Sequence, residues 1–123
     1  MSAAIPLSTR RGQSFDASKL RTAANFIELL RTLDSEMQAQ TAMCLLVVAM
    51  AHPAPVPMRK IAQRVGLAQS STSRNVALLG KVSRKGRPGL DLLVAREDVS
   101  DRRTKLVSLT SRGERFINQL LKG

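Results

Sequence analysis

Ten consecutive residues, Ala42 to Ala51, carry no charged or strongly polar side chain, and three prolines, Pro53, Pro55 and Pro57, follow at once. This pairing limits the fold more than any other feature. The run is half the ~20 residues that cross a bilayer, so it reads as a buried helix. Proline cannot continue a helix and restricts the residue before it, so the helix ends near His52. Ser35 with Gln38 three residues on has the capping-box pattern, which places the start at Glu36. A central helix that is apolar almost all round must be enclosed by the rest of the chain.

The 123 residues suit one domain with its own core. Residues 1–14, with Pro6, Arg10, Arg11 and Gly12, lack apolar periodicity and read as a flexible arm. Residues 15–123 read as the domain. Leu20, Ala24, Ile27 and Leu30 recur at helical spacing and predict a first helix over residues 16–33. After the prolines a short helix is expected from Met58 to Val65, closed by Gly66. Another runs from Ala68 or Gln69 to Leu79. Lys81 to Asp91 is a basic, glycine-containing loop. Leu90 to Glu97 and Thr104 to Leu109 read as strands around a polar turn, with Val107 partly offsetting Leu106 and Leu109. Thr110 can cap a last helix, packed through Phe116, Ile117, Leu120 and Leu121. The order helix, tight turn, helix, hairpin predicts a mainly α fold with a small β-hairpin wing, a winged helix-turn-helix. Residues 36–110 would form its core, and the helices at 15–34 and 111–122 would pair two copies.

Lysine and arginine number 20 against 9 acidic residues, a net charge of +11. Residues 58–123 alone hold fifteen basic and five acidic groups. So concentrated a positive field attracts polyanions, although a basic soluble surface or an anionic-membrane binder would share this composition. The chain has no Trp or Tyr and only three Phe, few faces on which unpaired bases could stack. Duplex DNA is therefore favoured over single strands.

In the helix pair, Ile61 and Ala62 should face the core, with Leu67 below the turn and Val76 and Leu79 anchoring the second helix. Its other face is then Gln69, Ser70, Ser71, Ser73, Arg74 and Asn75. None is acidic. Glutamine can bind adenine and arginine can bind guanine through paired hydrogen bonds, while serine hydroxyls suit phosphates. Arg84, Lys85 and Arg87 flank Gly86 without an apolar anchor, as phosphate-contacting side chains would. Arg102, Arg103 and Lys105 crowd charge onto the hairpin, where Asp101 can hold a guanidinium. A solvated polar helix face and a surface salt-bridge cluster are the plainer alternatives.

Three stretches resemble the MarR family of transcriptional regulators. They are Ser35 to Gln38 leading into the apolar helix, Ile61 to Arg74, and the run Arg96-Glu97-Asp98-Val99-Ser100-Asp101-Arg102-Arg103 followed by Leu109-Thr110-Ser111-Arg112-Gly113. The last is the most specific. Ala68 stands where the family usually has a capping serine, Thr72 where it has an apolar residue, and the loop before the wing is longer than usual. The resemblance implies a cytoplasmic homodimeric repressor or other regulator, with helix 68–79 in the major groove and wing 90–109 in the minor groove. It also implies that Arg103 enters the minor groove and that Asp101 orients it. It allows a small-molecule effector, which no residue of this chain specifies.

Cys44 has no partner for an internal disulfide or a thiolate metal cluster, and its apolar run makes it core filling. His52 is expected to cap helix carbonyls. Met1 to Thr9 lacks the basic-then-apolar pattern of a secretion signal. No catalytic, cofactor or metal constellation is apparent, so an enzyme is not expected. A winged helix that docks on another protein, and a non-specific architectural DNA binder, are the competing functions.

Overall fold

Helix α2 (Ala39–Ala51) is the centre of the protein, with the two helices and the strand that follow it at residues 58–65, 69–79 and 105–109 packed around it. A computed structural model describes residues 15–82 and 86–122. The expected arm at 1–14, and Arg84 and Lys85 of the basic loop, lie outside the described residues. The elements follow in the order α1 (Ala17–Leu33), α2, β1 (Val56–Pro57), α3 (Met58–Val65), α4 (Gln69–Leu79), β2 (Leu93–Glu97), β3 (Lys105–Leu109) and α5 (Ser111–Lys122). This is the winged helix-turn-helix arrangement, with helices α3 and α4 as the pair and β2–β3 as the wing.

Cys44, Leu45 and Val48 of α2 are completely buried. They share the core with Ile61 of α3, Val76 and Leu79 of α4, Leu92, Leu93, and Val107 of β3. α2 begins later than its sequence suggests. Ser35 does not cap it; the residue at the N-cap is Gln38, without a side-chain cap bond. Asp34 instead ends α1 and takes the Glu36 N–H on its carboxylate at 2.9 Å, so residues 34–38 form a turn. Met43 and Met50 are exposed, so the helix is enclosed on most sides and not all.

The sheet has three strands in the order β1-β3-β2, and β1 was not expected. Val56 and Pro57 pair antiparallel with Val107 and Leu106. Proline is tolerated there because β1 is an edge strand. Its pairing ties the start of α3 to the wing. On β3 it is Val107 that is buried, while Leu106 and Leu109 are half-buried, because the strand lies between two partners and over α2.

The first wing strand starts at Leu93, not at Leu90. Residues 90–92 close the end of α4 instead: the N–H groups of Leu90, Asp91 and Leu92 donate to the carbonyls of Leu78, Gly80 and Leu79. Beyond this closure Val82 and Pro88 form an isolated bridge at the base of the basic loop. Gly89 is required there, since a Cβ would lie 2.0 Å from the Gly80 carbonyl oxygen.

Thr110 caps α5, its hydroxyl accepting the Gly113 N–H at 2.9 Å and donating to the Asp91 carbonyl at 2.7 Å. Gly113 sits so close to the Leu92 carbonyl that a Cβ would come within 2.2 Å of its oxygen. Phe116 and Leu120 of α5 and Leu30 of α1 are buried within the protomer, whereas Leu121 is 73% exposed. His52 does not cap carbonyls. Its Nε2 lies 3.2 Å from Glu114 Oε1, joining the end of α2 to the first turn of α5. No helix among the described residues is long and apolar enough to cross a membrane.

Candidate nucleic-acid interface

Helices α3 and α4 are joined by a turn of three residues. Gly66 adopts φ 81°, a left-handed conformation, and nothing lies within 4 Å of the place a Cβ would take. The backbone angle, not crowding, demands glycine here. The N–H groups of Gly66 and Leu67 both reach the Ala62 carbonyl, at 2.8 and 3.0 Å, and end α3.

On α4 the side chains divide. Gln69, Ser70 and Arg74 are exposed; Ser71 and Ser73 are half-buried. Arg74 Nη2 donates to Ser71 Oγ at 3.3 Å, one turn back along the same face. Asn75, grouped with this face on sequence grounds, is buried. Its Nδ2 donates to the Ser71 carbonyl at 2.8 Å, and its Oδ1 accepts the Thr41 hydroxyl of α2. It fastens α4 to the core. Thr72, where the resemblance leads one to expect an apolar residue, is fully buried, with its hydroxyl donating to the Ala68 carbonyl at 3.0 Å. That bond satisfies the one polar group the substitution adds. Ala68, at the N-cap, offers no side-chain cap.

The wing turn is held by two aspartates. Asp98 Oδ1 accepts the Ser100 N–H at 3.0 Å and the Ser100 hydroxyl at 2.9 Å. These bonds, with the nearby Arg59 charge, hold its carboxyl below the usual carboxylate range. Asp101 accepts the Arg103 N–H on Oδ1 and the Thr104 hydroxyl on Oδ2, each at 3.1 Å. Its Oδ1 is also 3.7 Å from Arg103 Nε, whose side chain is 96% exposed. Arg102 and Lys105 are exposed beside it, and so is Arg87 in the loop.

Arg59 was not singled out in the sequence. It stands in the first turn of α3 and donates from Nη1 to Thr104 Oγ1 at 3.4 Å. The β1–β3 pairing sets the start of α3 beside the wing, and a two-residue strand leaves no periodic signal. Between α4 and the wing lies an open cavity of about 390 Å³, with Val76, Ala77, Leu93 and Ala95 among its walls and Lys81 and Lys105 in its lining. Burial pushes the Cys44 thiol above its usual range, which disfavours the reactive thiolate. Among the described residues no three His, Cys, Asp or Glu side chains gather as metal ligands would.

No family model matches the sequence, and no curated protein does. Solved structures do. The chain is similar to the PcaV transcriptional regulator of Streptomyces coelicolor, crystallised with its natural ligand. The identity is 28% and the TM-score 0.54, over 97% of this chain and 75% of PcaV. RV1404 of Mycobacterium tuberculosis shares the fold at TM-score 0.68 and 20% identity, over 99% of this chain and 76% of that one. MepR of S. aureus, solved bound to DNA, shares it at 0.66 and 15%, over 86% of this chain and 76% of MepR. The fold, the helix pair and the wing define a winged helix-turn-helix protein. Within that class its fold is like that of MarR, at TM-score 0.59 and 21% identity.

Proposed function

We propose that this chain is a sequence-specific, double-stranded DNA-binding transcriptional regulator that works as a dimer, with α4 in the major groove and the wing in the adjacent minor groove. One observation carries the proposal. An exposed polar helix face without any acidic residue stands beside a hairpin turn whose arginine is 96% exposed, with an aspartate carboxylate 3.7 Å from it. Helix and hairpin thus offer a major-groove and a minor-groove reader on one surface.

In this proposal Gln69 and Arg74 contact base edges, and Ser70, Ser71 and Ser73 contact phosphates or bases at the groove wall. Arg103 enters the minor groove, steadied by Asp101, while Arg102 and Lys105 meet the flanking backbone. Arg84, Lys85 and Arg87 add phosphate contacts from the loop. Dimerisation is supported by side chains the protomer leaves uncovered: Leu20 is 55% exposed, Ile27 58% and Leu121 73%. Leu30, Phe116 and Leu120 are buried in the core of the protomer, so the proposed interface does not draw on them.

Selection of bound sequences from a random duplex pool, with the mass of the protein in solution measured alongside, tests this. The expected outcome is an enriched inverted repeat, with half-sites about one helical turn apart and two protomers per site. Equal binding to selected and random duplex would instead indicate an architectural binder. No duplex binding at physiological salt would indicate a protein-docking module.

A further inference from the structure

A second cavity, of about 170 Å³, lies where the starts of α3 and α4 meet the wing turn. Arg59, Arg103 and Lys105 line it, with Gln69, Ser73 and Thr104, and no carboxylate does. Among the described residues neither Arg59 nor Lys105 forms an ion pair. The long 3.4 Å bond to Thr104 uses one donor of the Arg59 guanidinium. Its other N–H groups have no acceptor among the described residues. Asp101 lies 3.7 Å from Arg103 and Asp98 feels the Arg59 charge, but both stand outside the lining, so an anion seated in the open space would still ease the repulsion among the three cations.

We infer that this cavity seats one backbone phosphate of duplex DNA, with Arg59 as its principal ligand. The inference rests on the groove assignment proposed above. With α4 in a major groove and the wing in the neighbouring minor groove, one phosphodiester strand must cross between them. The gap between Gln69 and Ser73 on one side and Arg103 and Lys105 on the other is its path. A guanidinium suits that place, because its fork can grip two phosphate oxygens. The same residue connects to the wing turn. Thr104 accepts from Arg59 and donates to Asp101, which in turn accepts the Arg103 N–H. Phosphate capture and the placing of Arg103 therefore share one chain of hydrogen bonds.

The test compares wild type, Arg59→Ala, Arg59→Lys and Thr104→Val on the selected duplex over a series of salt concentrations. It then uses the same duplex with a single uncharged methylphosphonate moved stepwise across the groove boundary. Arg59→Ala should bind several-fold more weakly, with unchanged base preference and a salt slope flatter by about 0.9. Arg59→Lys should recover most of that slope, and Thr104→Val should keep all of it. One methylphosphonate position should weaken wild type yet leave Arg59→Ala no weaker than on unmodified DNA. The inference is overturned if wild type binds and Arg59→Ala keeps the wild-type slope. It is equally overturned if Thr104→Val loses as much slope as Arg59→Ala, for then the arginine acts only through the wing turn. Failure of wild type to bind any duplex would overturn the groove assignment as well.

Discussion

Helices α1 and α2 are both rich in apolar residues, yet the fold uses them differently. α2 buries five of its thirteen residues, whereas α1 buries only Leu30 among seventeen. α2 is surrounded by α3, α4 and β3. The first half of α1 is exposed throughout, and only Phe26, Leu29, Leu30 and Leu33 reach the core. An apolar side chain in water forgoes about 25 cal/mol for each Å² it could bury. Leu20 and Ile27, with Leu121 of α5, are the side chains a second copy would cover. On the function proposed above, the contrast separates a part of the chain that builds the reading surface from a part that would bring two such surfaces together.

The sharpest way to break this contrast is to charge α1 alone. Leu20→Glu with Ile27→Glu should give a monomer by sedimentation, with the circular dichroism of the folded protein retained. Losing the second reading surface should weaken operator binding by about 10²–10⁴-fold, the usual gain from linking two sites. A dimeric mass for this variant would end the assignment of α1 to the interface. The opposite experiment truncates a side chain of α2. Leu45→Ala should lower the unfolding free energy by about 2–5 kcal/mol in a denaturant titration, since Leu45 is completely buried. Gly113→Ala tests the seam between wing and α5. Its Cβ would meet the Leu92 carbonyl oxygen at 2.2 Å, and the backbone shift should cost about 1–3 kcal/mol by the same titration. The smallest effect is expected in the loop. Neutralising Arg84, Lys85 and Arg87 should leave stability and base preference unchanged. It should flatten the salt dependence by roughly 0.9 for each phosphate that these side chains neutralise in the wild type. A changed preference with an unchanged slope would assign those residues to base reading.

The helix pair and the wing were legible because each leaves a local mark: apolar period, a glycine turn, and aspartates before arginines in a hairpin. The glycine of Leu-Thr-x-x-Gly was legible as part of a pattern, and the structure supplies its cause in the close approach of Gly113 to the Leu92 backbone. What could not be read depended on long-range pairing. Val56 and Pro57 carry no strand signal, so neither β1 nor the meeting of Arg59 with Thr104 could be foreseen. Ser35 and Gln38 satisfy the capping-box pattern, but Asp34 takes the Glu36 N–H and the helix starts downstream. Asn75 looks like a groove residue by polarity, and only the Thr41 hydroxyl facing it from α2 shows why it is buried. His52 likewise found its partner, Glu114, far along the chain in α5.

The proposed division of labour between α4 and the wing is tested most directly by binding profiles of Arg74→Ala and Arg103→Ala over a fully randomised site. A helix arginine gripping one base should supply about 1–3 kcal/mol of discrimination there, so Arg74→Ala should relax a single position in each half-site. A wing arginine reads groove width and potential, so Arg103→Ala should lower affinity and weaken the preference for A·T-rich flanks while the central preference stays. Asp101→Ala should do the same more weakly. Loss of the central preference in Arg103→Ala, or an unchanged profile in Arg74→Ala, would contradict the assignment of the two grooves.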